Sequence, residues 1–180
     1  MSTPHVVALA RSADHAFSKA PCERVMLVAG IGVEGDAHAG VTVRHRSRVR
    51  KDPAQPNLRQ VHLIHAELFD ELADKGFTLA PGDLGENVLT RGIALLDLAT
   101  DTRLEIGQAI LRVTGLRNPC WQIDAFAPGL LAEMIDKRPD GSLRRKCGVM
   151  TVVERGGEIA AGMPIAVVRP APPHRPLEPV

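Results

Sequence analysis

The feature that most constrains the fold is a succession of short apolar runs, rich in Val, Ile and Leu and cut by glycine- and proline-bearing turns. Runs of this length suit strands and are too short for most helices. The pattern predicts strands over 5–10, 25–29, 59–64, 86–90, 103–106, 109–116, 148–154, 158–160 and 165–168. Residues 59–64 alternate polar and apolar, as a strand with one buried face does. Helical spacing of Leu68, Phe69 and Leu72, stopped by Gly76, predicts a helix over 66–75, and a second is expected over 130–138. Arg155-Gly156-Gly157 predicts a hairpin turn between the strands at 148–154 and 158–160. Regular crossover helices are missing, which argues against a doubly wound parallel sheet. The expectation is a mainly β, β-rich α+β fold: a mostly antiparallel barrel or sandwich with two or three peripheral helices.

A chain of 180 residues makes one domain, expected over 1–169. The remainder, 170–180, carries five prolines and is expected to be an extended, mobile end without a packed role. A net charge of +1 and an aromatic content of 3%, with no tyrosine, argue against a nucleic-acid partner. No apolar run approaches the ~20 residues of a membrane helix. The first residues lack a basic leader followed by an apolar stretch. Three cysteines, Cys22, Cys120 and Cys147, are an odd and sparse set that reads as reduced thiols in the cytoplasm.

Two motifs fail on context. Gly30-Ile31-Gly32-Val33-Glu34-Gly35 matches a dinucleotide fingerprint, but no helical stripe follows to present its amides to a pyrophosphate. A glycine-rich turn leading out of a strand is the better reading. His62 and His65 stand three apart in a strand pattern, which sends them to opposite faces, so they read as solvent-facing or strand-end residues and not as metal ligands.

Three elements carry chemistry. Arg44, Arg46, Arg48 and Arg50 alternate, followed by Lys51, with no acid among them. An extended chain would project them to one side as an anion-binding surface; a solvated loop is the equal alternative. Arg144, Arg145 and Lys146 precede Cys147. Arg117-Asn118-Pro119-Cys120-Trp121 places a thiol at a strand end beside a cation, which favours the thiolate that acts as nucleophile and soft metal ligand. A small buried hydrophobe is the alternative for either cysteine.

The segments Gly32 to Gly40, Pro81 to Val88, Leu104 to Gly107 and Arg117 to Cys120 occur in the order seen in MOSC domains, those related to the C-terminal part of molybdenum cofactor sulfurase. Lys146-Cys147-Gly148 and Gly157 to Gly162 also resemble the stand-alone bacterial branch, and the likeness covers about 5–168. The resemblance implies a β-barrel similar to the barrel domain of pyruvate kinase. It implies molybdenum cofactor (molybdopterin), with Cys120 as the cysteine bound to molybdenum and the catalytic residue. Arg44, Arg46, Arg48, Arg117, Lys146, Cys147, His38, Glu86 and Asn87 would serve the cofactor. Glu86 has a second reading, the pinning of a turn. The resemblance implies reduction of N-hydroxylated small molecules with electrons from a separate redox partner. The alternative is carriage of the cofactor or of activated sulfur, with a cofactor-synthesis protein as partner. The family also has an association with pyridoxal phosphate. Where many reductase-type relatives have His-Gly-Gly, this chain reads Val43-Arg44-His45-Arg46-Ser47-Arg48.

Overall fold

The computed structural model of the protein describes residues 3–180, so the first two residues of the domain expected over 1–169 lie outside the described residues. The chain opens with β1 (His5–Arg11), β2 (Ala20–Cys22), β3 (Arg24–Val28) and β4 (Gly32–Val33), then a one-turn helix α1 (Arg46–Val49). Next come β5 (Val61–His65), α2 (Ala66–Asp74), β6 (Val88–Arg91), β7 (Arg103–Ile106) and β8 (Ala109–Leu116). Short helices α3 (Gln122–Phe126) and α4 (Leu130–Glu133) lead to β9 (Ile135–Lys137), β10 (Leu143–Arg145), β11 (Val149–Arg155), β12 (Gly157–Ala160) and β13 (Ile165–Val168). The mainly β expectation holds, and the strands at 103–106, 109–116 and 165–168 form with those bounds.

The strands make an eight-stranded sheet in the order β13-β7-β8-β11-β5-β6-β1-β2, a three-stranded sheet β12-β3-β4 and a β9–β10 ribbon. All pairs are antiparallel except β5 with β6, which α2 connects. These ladders do not close into a barrel. The entry to β13, at one end of the large sheet, meets the start of β1, the strand before β2, at one isolated bridge, His5 with Pro164, flanked by backbone bonds from Val6 N to Met163 O and from Ile165 N to Pro4 O.

Strand β5 shows how the core is divided. Val61 and Leu63 point into a core shared by both larger sheets, with Leu27, Leu104, Leu111 and Ile159. Ile64 faces the other way, into a second core with Leu68 and Leu72 of α2, Leu130 and Met134. Both faces are covered, so the polar–apolar alternation read from 59–64 does not mark a solvent face; even His62 is buried. Each fully buried leucine contributes about 2 kcal/mol.

Several expectations are corrected. The helix expected over 130–138 stops at Glu133, because Ile135 to Lys137 pair with Leu143 to Arg145 as a ribbon. The hairpin expected at Gly156 does not form: β11 stays in the large sheet with β5 and β8, while β12 leaves to pair with β3. Gly156 sits at that corner, where a Cβ would lie 2.6 Å from Leu27 O. The tail at 170–180 is packed. Thr100 N donates to Arg175 O, Leu116 N donates to Glu178 O, Val180 N donates to Leu116 O, and Leu177 packs against the main core. Gly115 permits this, since any Cβ there would strike Glu178 O. Gly30 and Ile31 form the β3–β4 turn and no helix follows, as the failed fingerprint implied. Among the described residues no helix is long and apolar enough to cross a membrane.

Candidate functional site

Strands β5 and β8 flank β11, and the site forms where the segment entering β5 meets the segment leaving β8. The first carries Asn57 and Arg59; the second carries Arg117 and Cys120. Thr114 ties them, its hydroxyl lying 2.6 Å from Leu58 O and 2.9 Å from Met150 O. Asn57 Nδ2 donates to His38 O (2.8 Å) and Gly40 O (3.0 Å), drawing in the loop after β4.

That loop is organised by Asp36. Its buried carboxylate accepts from Lys19 Nζ (2.7 Å), Asn87 Nδ2 (3.0 Å), His38 N (2.9 Å) and His38 Nδ1 (3.2 Å). Burial opposes its ionisation, but the bonds from His38 and Lys19 outweigh it, and the carboxyl titrates well below the usual range. Lys19 also titrates below its ordinary value, because burial outweighs the attraction of Asp36. Both directions follow from one fact: this ion pair lies out of water, with side chains 4% and 0% exposed. Asn87 Oδ1 also accepts from His62 N, at 3.2 Å.

The result is an open cavity of about 110 Å³ whose wall includes His15, Phe17, Arg46, Arg117 and Gln122. It continues inward to a cleft lined by Lys19, His38, His45, Arg59, His62 and Arg117. Burial comes first in lowering Arg59 to about 10, followed by repulsion from Arg117 and Arg48, with Cys120 acting in the opposite sense. Burial, then Arg59 and Arg117, lowers His45 to about 4. Burial also lowers His38 and His62, so the imidazoles are neutral at pH 7. Arg59 and Arg117 have no carboxylate partner among the described residues. Two guanidiniums converging without a counter-charge form a site for an anion.

Cys120 is partly buried, belongs to neither core and lies beside the cavity without lining it: its sulfur is 3.7 Å from Oε1 of Gln122, which does line it, and it is near enough to Arg59 to oppose the lowering of that guanidinium. Of the other sequence-derived residues, His38, Asn87 and Arg117 line the cleft and Arg46 the outer cavity. Arg44 lies on an adjoining outer groove with Arg46 and Arg50, and Arg48 is close enough to Arg59 and His45 to depress both. The arginines do not share one side: α1 breaks the extended period and puts Arg46 and Arg50 together, one turn apart. Lys146 and Cys147 are corrections. Lys146 is buried and paired with Glu71 (2.8 Å) and Asp136 (3.0 Å), facing away from the cavity. Cys147 packs into the second core, where burial pushes its thiol up to about 12. Glu86 does not line the cavity; its Oε1 accepts the Gly82 N–H, the turn-pinning contact. His15, Lys19, His45, Asn57, Arg59 and His62 were not singled out for this site by the sequence. Asp36-Ala37-His38 was the one local signal near them.

Glu86 gives a pH signature. Burial raises it to about 7 from an ordinary 4.5. Between those values the folded protein keeps a proton that the unfolded chain releases, so stability falls as pH rises through that window, by up to about 3 kcal/mol. Glu86→Gln is expected to remove this slope in unfolding measured from pH 4 to pH 8.

The MOSC domain family model matches residues 35–166, a span that takes in the Asp36 loop, both arginines and Cys120. The chain belongs to the MOSC domain family. Solved structures share the MOSC fold seen here. The YuaD protein from Bacillus subtilis is 24% identical at a TM-score of 0.75, covering 94% of this chain and 98% of that one. YiiM from Escherichia coli is 18% identical at 0.63, covering 95% and 73%. YiiM from Geobacillus stearothermophilus is 17% identical at 0.57, covering 93% and 74%. A search of curated proteins finds no match. MOSC domains are associated with molybdenum cofactor, and the donor set here fits such a group. Unpaired guanidiniums suit its phosphate, and a partly buried thiol beside them, packed in neither core, suits its metal. Pyridoxal phosphate fits less well, since Lys19, the lysine lining this cleft, is held in its ion pair with Asp36.

Proposed function

We propose that this MOSC protein binds molybdenum cofactor in the cationic cavity and reduces N-hydroxylated small molecules with electrons from a separate redox protein in the cytoplasm. The observation that carries the reading is the pair Arg59 and Arg117, uncompensated in charge, with the partly buried Cys120 near Arg59. Arg59 and Arg117 would hold the phosphate, with Arg46 at the mouth, and Cys120 the metal. When bound, the cofactor supplies oxygen-atom and electron transfer; the net change converts R–NHOH, two electrons and two protons into R–NH2 and water. The protein's residues bind and orient. His38, whose Nδ1 must carry hydrogen to bond the Asp36 carboxylate, is held in one ring orientation on the cleft wall. Trp121, 73% exposed next to Cys120, offers apolar surface to a substrate or donor protein. The same reading takes the large sheet as a barrel, supported by the bonds that join the entry to β13 with the start of β1.

Protein made in a cofactor-competent host is assayed for molybdenum and for reduction of a hydroxylaminopurine by an artificial donor. The wild type is expected to hold about one metal per chain and to turn over. Cys120→Ser is expected to lose nearly all metal and activity at unchanged thermal stability, since the side chain is packed in neither core. Metal retained in Cys120→Ser would refute the ligand role. Tight cofactor binding without turnover would identify a carrier.

A further inference from the structure

A second cationic cleft lies apart from the cavity of His38 and Arg117 and shares no lining residue with it. Its walls are the β9–β10 ribbon, the 3-10 turn Leu95–Asp97 and the packed tail, and its volume is about 360 Å³. Arg138, Arg144 and Arg145 enter from the ribbon, Arg169 from the end of β13, and Arg175 from the tail. Leu98, Leu116, Leu143 and Leu177 supply the apolar surface between them.

The charge here is concentrated and under-compensated. Asp97, the one acid on the lining, stands 3.6 Å from Arg144. Arg175 is paired with Asp101, and Arg145 Nε donates to Asn118 Oδ1. Arg138 and Arg169 make no side-chain hydrogen bond or ion pair among the described residues. A chain with a net charge of only +1 has thus gathered five arginines around one concavity. Like charges are held together against repulsion by the tail and the ribbon, which supply the backbone bonds of both walls.

We propose that this cleft binds an organic phosphate with an apolar or planar body, of the size and chemistry of a nucleoside diphosphate. Guanidinium forks match phosphate oxygens two at a time. Leucines between them suit a ring or acyl body, and the volume falls at the lower end of the few-hundred to ~1,000 Å³ of small-ligand sites. A concave, leucine-floored site favours a small ligand over an acidic protein surface, which would meet flatter ground. The inference is independent of the molybdenum reading.

Calorimetric titration of the full chain at low salt with ADP, pyrophosphate and adenosine tests it. ADP is expected to bind about tenfold more tightly than pyrophosphate, and adenosine weakly. Removing both free guanidiniums in Arg138→Ala/Arg169→Ala is expected to weaken ADP about a hundredfold. Leu143→Asp, at an exposed position, is expected to weaken ADP at least tenfold without a folding penalty. Arg59→Met should leave ADP binding in place. Equal affinity for pyrophosphate and ADP would overturn the proposal, reducing the cleft to a charged surface. So would ADP binding that is lost in Arg59→Met but kept in the other two variants, or polyglutamate binding more tightly than ADP.

Discussion

Asp36→Ala is expected to cost ~3–5 kcal/mol of stability, the largest single-residue effect in the site. The substitution removes the acceptor of Lys19, His38 and Asn87 together and strands a lysine side chain that is only 4% exposed. An uncompensated buried ammonium is the costly product, not the lost bond itself. Lys19→Met in the same background is therefore expected to restore part of the loss, and a double-mutant cycle in urea measures that coupling. The pH dependence has a definite sign. The carboxyl of Asp36 is depressed below its ordinary 3.8, so its contribution is complete above that pH and is lost as pH falls. In Asp36→Ala the acid limb of the stability profile should flatten correspondingly. A variant with normal stability would show that the loop is held by other contacts.

Arg59→Met is expected to act in the opposite direction on the free protein. The guanidinium is lowered to about 10 by burial and by Arg117 and Arg48, so keeping it charged at pH 7 costs the fold ~1–3 kcal/mol. A methionine of similar length fills the space without charge. Thermal unfolding in low salt should therefore occur at higher temperature than in the wild type. Added phosphate should stabilise the wild type by mass action and Arg59→Met measurably less, only the second cleft being left to bind it. Pterin-phosphate or phosphate affinity should fall about tenfold or more. This trade of stability for binding is the mark of a site built to receive a counter-charge. Lower stability in low salt, or an undiminished response to phosphate, would refute the anion role.

Much of the architecture was readable in the chain. The strands at 103–106, 109–116 and 165–168 are bounded by turn residues, so local chemistry alone sets their limits. The helix ending before Gly76 is equally local. Reading failed where pairing decides. The two glycines after β11 look like a hairpin, but β12 finds its partner in β3, more than a hundred residues earlier. The proline-rich tail looks unattached, yet the bare backbone of Gly115 and the carbonyl of Leu116 receive it.

The candidate site divides in the same way. Cys120 and Arg117 stand together in sequence, and Asp36 and His38 form a local motif. Arg59 looks like any cation at the start of a strand, since its partner Arg117 is 58 positions away and nothing local marks the pair. Cys147 looks reactive behind a run of three cations, but its side chain turns into the core while Lys146 turns to Glu71 and Asp136. Sequence fixes what depends on neighbours along the chain: strand limits, turns, and the family to which the chain belongs. Only the tertiary structure decides which cations converge and which thiol meets solvent, because burial and unbalanced charge arise from segments brought together across a sheet.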